Sequence, residues 1–162
     1  MKKSSTVKKD NKVINIVIVI GIIFLIASLI LMFVNGDGKN NNLKNISYSE
    51  YLELAKKDEY SIIILTNPTC IHCNNYKPFV NYVATENNLN AYNLDLTTIT
   101  YDEYTELHDR YNAIKDDYSD GEPVIRTPAT IIVRNDKEVT SVLGDIGYNG
   151  LVKLLKNNQI IK

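Results

Sequence analysis

Apolar positions along this chain change their spacing from segment to segment. From Val13 to Val34 they are almost unbroken, interrupted only by Asn15, Gly21 and Ser28. Tyr48, Tyr51, Leu52 and Ala55 then recur at i, i+3, i+4 and i+7, one face of a helix reaching about Lys57. Ser47 followed by Glu50 supplies the capping box that opens it. Residues 60–66 form a continuous apolar run, the pattern of a strand covered on both faces. Helical spacing returns at Tyr76, Phe79, Val80 and Val83, with Pro78 inside the pattern, where a kink is expected.

Further along, Ala91–Leu96 reads as a short second strand. Thr100 and Glu103 form another capping box, opening a helix with Tyr104, Leu107 and Tyr111 on one side. Residues 115–123 are acidic and rich in turn formers, and are expected to form a loop. Pro128–Val133 and Val139–Leu143 are apolar and β-branched, and Asn135-Asp136-Lys137 between them predicts a hairpin. Gly144–Gly150 turns the chain into a last helix with Leu151, Leu154 and Leu155 facing inward. The resulting order is α, β, α, β, α, β, β, α. It predicts an α/β domain over 46–162, with parallel strands joined by helical crossovers and an antiparallel hairpin completing a mixed sheet.

The N-terminal run has a different meaning. Twenty-two residues at 1.5 Å each span roughly 33 Å, enough for a hydrocarbon core of ~30 Å. The run is apolar on every side, which predicts a transmembrane helix at 13–34 in contact with membrane lipid. A cleaved signal peptide is the alternative, but the segment is long and ends Met32-Phe33-Val34-Asn35 without a small-x-small cleavage site. Five lysines lie in residues 1–12, against Lys39 and Lys44 shortly after the span. That asymmetry predicts a cytoplasmic basic tail and an extracytoplasmic domain on a single-pass cell-membrane anchor. Residues 35–45, rich in Asn and Gly, read as a flexible tether reaching at most about 35 Å.

Composition adds exclusions. A formal net charge of −1 gives no reason to expect a nucleic-acid partner. Two cysteines are too few for a disulfide-scaffolded domain or a four-sulfur zinc site.

Those two cysteines, Cys70 and Cys73, sit where the buried strand gives way to a helix. A helix N-terminus carries about half a positive charge and free N–H groups, which stabilise a thiolate at Cys70. Such surroundings lower a cysteine pKa from about 8.5 to roughly 3.5–7.5. One turn further in, Cys73 can close a disulfide or resolve a mixed one. An inert disulfide, or a zinc clip with His72 and His108, remains open on the residues alone. His108, beside Tyr104 and Tyr111, reads as an ordinary surface or edge residue. The 115–123 loop reads as a solvated insertion, its closeness to Pro128 leaving a role in substrate choice open.

From about residue 45 to 158 the chain resembles the thioredoxin-fold thiol–disulfide oxidoreductases. Pro78 matches the family's helix proline, five residues after Cys73. Thr127-Pro128 before Ala-Thr-Ile-Ile-Val matches its cis-proline, and the hairpin, Gly144 and the final helix follow in order. Asn67-Pro68-Thr69-Cys70 with an anchor is most similar to the bacteriocin-accessory branch of Gram-positive bacteria. The resemblance implies Cys70 as the attacking and attacked sulfur, Cys73 as the resolving one and His72 as the tuning group. It implies substrate-backbone pairing at Thr127 and Pro128, and no cofactor beyond a redox-active Cys70–Cys73 disulfide.

Three positions depart from thioredoxin itself. Thr69 stands where it has Trp, Ile64 where it has a buried acid, and Ile71-His72 where it has Gly-Pro. The histidine resembles oxidases and isomerases. The expected function is an extracytoplasmic oxidoreductase serving cysteine-containing exported proteins, with a separate redox partner protein. The alternative is a non-catalytic accessory module with a structural disulfide.

Overall fold

The computed structural model describes residues 14–24 and 43–162. The chain divides into two compact units, residues 1–39 and 40–162. In the first, helix α1 is described over 14–24, with every side chain exposed. No described helix is long and apolar enough to cross a membrane. The basic tail 1–12, the remainder of the expected 13–34 span, and tether residues 35–42 lie outside the described residues.

The second unit is built on a five-stranded sheet in the order β1-β3-β2-β6-β7. Its centre is β2 (Ser61–Thr66), whose six residues are all buried, as its unbroken apolar run predicts. Strand β3 (Asn90–Asp95) pairs with β2 in parallel, and β6 (Ala129–Arg134) pairs with it antiparallel. Strand β7 (Lys137–Leu143) closes one edge as the hairpin partner of β6. Asn135 and Asp136 make the turn with φ of 52° and 60°, the left-handed pair that matches a hairpin's twist. The other edge was not predicted: β1 (Lys44–Ile46) pairs in parallel with β3, so residues 44 and 45 of the expected tether are strand. A three-residue strand is too short to carry a pattern of its own.

Helices cover both faces. On one, α2 (Tyr48–Ala55) and α4 (Tyr101–Arg110) enclose Ile63, Leu65, Leu94 and Ile131 with Tyr51, Leu107 and Tyr111. On the other, α3 (Ile71–Glu86) and α5 (Gly147–Asn157) enclose Ile62, Ile64 and Ile132 with Tyr76, Val80, Leu151 and Leu155. Alternation along β2 therefore feeds two separate cores, Ile63 and Leu65 to one, Ile62 and Ile64 to the other. Both predicted capping boxes form, at Ser47–Glu50 and Thr100–Glu103. The C-terminus of α2 is completed from far along the chain: Asn135 N–H donates to the Lys57 carbonyl at 2.8 Å and Asp136 N–H to that of Ala55 at 2.7 Å.

The acidic 115–123 segment holds more order than a loop. Strands β4 (Tyr118–Ser119) and β5 (Glu122–Pro123) form a miniature hairpin. Its turn is Asp120-Gly121, with φ of 53° and 85°. An Asp-Gly pair is the sequence signal for such a turn. The flanking strands are too short to show alternation, so the signal was masked by the surrounding acidity.

Candidate redox site

The joint between β2 and α3 is assembled by short-range hydrogen bonds. Asn67 accepts the backbone N–H of Thr69 at 3.0 Å and its hydroxyl at 2.8 Å. The Asn67 carbonyl accepts the N–H of Cys70 at 3.0 Å. This local turn delivers Cys70 as the N-cap of α3, with extended backbone and its Sγ accepting the Cys73 N–H at 3.0 Å. Cys70 and Cys73 are joined as a disulfide with their Cα atoms 5.3 Å apart. Cys73 is fully buried and Cys70 is partly open to solvent. The two sulfurs are thus unequal in access: Cys70 is open to a thiolate arriving from solvent, and Cys73 is not. After reduction the same N–H and the positive end of α3 remain aimed at Cys70, favouring its thiolate.

Across the joint, Thr127 and Pro128 enter β6 through a cis peptide bond. The Thr127 carbonyl oxygen lies 3.5 Å from Cys70 Sγ, so the sequence-predicted pairs 70/73 and 127/128 do meet. His72 is exposed on the first turn of α3. Among the described residues it makes no hydrogen bond to Cys70. Pro78 is exposed within α3, which continues through it to Glu86. Ile71, beside Cys70, is 74% exposed, an apolar surface at the entrance to the disulfide.

Behind the disulfide the sheet carries polar groups that pattern reading treated as core. Tyr76 shares with Cys73 the inward face of α3, and its hydroxyl oxygen accepts the Thr130 hydroxyl at 3.1 Å. Burial pushes the Tyr76 hydroxyl up to about 12, opposed by the Thr130 hydrogen bond. Thr66 donates to Asn93 at 2.7 Å, and Asn93 to Asn45 at 2.8 Å, a polar ladder across β2, β3 and β1. Ile64, in register with both Asn93 and Thr130, is fully buried. Among the described residues no group of three or more His, Cys, Asp or Glu side chains is placed to hold a metal ion.

His108 corrects the expectation of a surface residue, for it is fully buried. Its Nε2 lies 2.8 Å from the Asp117 carbonyl oxygen, its Nδ1 2.9 Å from the Asp109 carboxylate, and its ring meets Tyr118 edge-on at 4.8 Å. A histidine between tyrosines at helical spacing does not announce burial, because what covers it is the unpredicted 118–123 hairpin.

Solved structures with this arrangement are numerous. Thioredoxin f2 of Chlamydomonas reinhardtii superposes with a TM-score of 0.58 at 13% identity, over 74% of this chain and 99% of that one. The thioredoxin of Trypanosoma brucei brucei gives 0.57 at 14%, over 76% and 96%. That of Malassezia sympodialis gives 0.54 at 13%, over 72% and 90%. The domain has the thioredoxin fold. No protein-family model and no curated protein matches the sequence. On a thioredoxin fold the Cys-x-x-Cys pair occupies the strand-to-helix joint, facing the cis-proline, which is where Cys70 and Cys73 stand here.

Proposed function

We propose that this chain is a membrane-anchored, extracytoplasmic thiol–disulfide oxidoreductase that exchanges disulfides with exported proteins, leaning towards oxidation or isomerisation. The observation that carries the reading is the asymmetric disulfide: Cys70 partly open at a helix N-terminus, Cys73 buried, the Thr127 carbonyl 3.5 Å away. In the oxidising direction a substrate thiolate attacks Cys70 Sγ, the Cys70–Cys73 bond breaks, and Cys73 leaves as a thiolate. A second substrate thiolate then attacks the substrate sulfur of the mixed disulfide and releases Cys70. The substrate gains a disulfide, two electrons stay on the cysteine pair, and a separate redox partner protein removes them. Thr127 and Pro128 pair with substrate backbone, and His72, when charged, favours the Cys70 thiolate. That lowers the cost of the reduced state and makes the disulfide more oxidising.

The anchor rests on the apolar run 13–34 and the lysines before it. Disulfides persist outside the cytoplasm, so location and chemistry agree. The Asn67-Pro68-Thr69-Cys70 flavour supports a place beside bacteriocin export.

A second reading, an accessory module with a structural disulfide, is favoured by Ile64. Its fully buried aliphatic side chain occupies the position of the acid that assists proton transfer. The potential of the Cys70–Cys73 pair separates the readings. A value near about −120 mV supports oxidation, one near about −270 mV reduction, and one below about −300 mV the structural disulfide. The test of location and activity together is to express the full-length Cys73→Ala chain and isolate membranes. Disulfide-linked adducts in that fraction, cleaved by protease added outside, are expected. A soluble chain without adducts sinks the proposal.

A further inference from the structure

The approach to Thr127 is held at each of the three preceding residues. Val124 N–H donates to the Asp117 carbonyl at 2.8 Å. Ile125 N–H donates to the Tyr104 hydroxyl oxygen at 2.5 Å. Arg126 grips the Asp117 carboxylate through Nε at 2.5 Å and Nη2 at 3.1 Å. The Asp117 carbonyl also faces His108 Nε2 at 2.8 Å; a carbonyl only accepts, so Nε2 carries hydrogen and donates. His108 and Tyr104 both belong to α4, a helix packed on the sheet core.

We propose that Tyr104, His108 and Asp117 form a brace that positions Thr127 and Pro128 against the disulfide, making α4 and the 118–123 hairpin a support for substrate-backbone pairing. The proposal rests on the oxidoreductase reading above. Arg126 and Thr127 are adjacent, so a shift of the 124–126 backbone moves the Thr127 carbonyl directly. Asp117 and residues 124–126, which flank the exposed hairpin on either side, are joined to α4 and to each other by five hydrogen bonds. These residues touch neither sulfur; they are positioning residues.

The test uses the full-length chain with Tyr104→Phe or Asp117→Asn, since His108→Ala would empty a buried site and risk unfolding. The Arg126 side chain is 70% exposed and that of Asp117 18%, so one end of the pair stands in water, where ion pairs add little stability. A small fall in melting temperature is therefore expected in Asp117→Asn, without loss of the fold. Two probes are compared: a short disulfide-closed peptide, which offers backbone to pair, and 2-hydroxyethyl disulfide, which has none. Each variant is expected to lose about tenfold in kcat/KM on the peptide, with the small disulfide unaffected. Hydrogen exchange at the Ile125–Thr127 amides is expected to quicken, a readout independent of catalysis. Parent-like peptide rates, or an equal loss on both probes with a lower melting temperature, overturn the brace. A parent chain inert on both probes overturns the oxidoreductase reading; parent-like amide exchange in the variants then overturns the brace as well.

Discussion

The Thr127 carbonyl oxygen and Cys70 Sγ stand 3.5 Å apart across 57 residues of sequence. Neither residue makes a site alone. Cys70 brings a sulfur at the positive end of α3, and Thr127 brings a backbone carbonyl at the entry to β6.

Because Cys70 is accessible and Cys73 fully buried, the two single substitutions are expected to behave differently. Cys73→Ala accumulates mixed disulfides that disappear with dithiothreitol. Cys70→Ala forms none and loses exchange. Non-reducing gels read both, and adducts of equal yield from the two variants would contradict the assigned order of attack.

Tyr76 and Thr130 are expected to be coupled in stability. Tyr76→Phe leaves the Thr130 hydroxyl buried without its acceptor, at a cost of about 2 kcal/mol. Adding Thr130→Val removes the orphaned group, so the double variant loses less than the sum, with a coupling of about 1 kcal/mol. Urea unfolding of the four proteins measures it.

Alkali is expected to weaken the domain as pH rises above about 10. Burial, first among the causes, raises the hydroxyls of Tyr51, Tyr76 and Tyr111, that of Tyr76 to about 12. In the unfolded chain they ionise near about 10. Their contribution is complete below about pH 10 and is lost as pH rises, for Tyr76 through about 12, because the unfolded state releases its protons first. Stability measured in steps above pH ~9 should decline as tyrosinate absorbance appears.

Ile64 gives a test of the missing acid. Ile64→Val should cost about 1 kcal/mol, while Ile64→Asp places an unpartnered carboxyl in the core at about 3 kcal/mol. If a carboxyl there assists proton transfer to Cys73, the folded Ile64→Asp protein resolves mixed disulfides faster than its parent. Quenched-flow trapping with a peptide thiol measures that rate.

The long elements were legible because their patterns are strong: β2 carries four consecutive aliphatic residues, and the capping boxes at Ser47 and Thr100 mark helix starts to the residue. The disulfide was legible in the Cys-x-x-Cys spacing at a strand-to-helix joint, and its facing Thr127-Pro128 through the resemblance to the thioredoxin-fold family. What escaped was short or cooperative. Strand β1 has three residues and no pattern without β3 beside it. The burial of His108 depends on a hairpin whose strands have two residues each. Tyr76 and Asn93 fit an apolar and a polar position respectively, and their hydrogen bonds arise only from sheet register.

The closure of α2 by Asn135 and Asp136 orders events during synthesis. An eight-residue helix is too short to persist alone, and the donors that complete its C-terminus are translated some eighty residues later. The segment bearing Cys70 and Cys73 therefore leaves the ribosome well before the hairpin that locks α2 and before the strand that follows Thr127. For that interval both thiols belong to an unfinished domain, open to whatever oxidant meets the nascent chain.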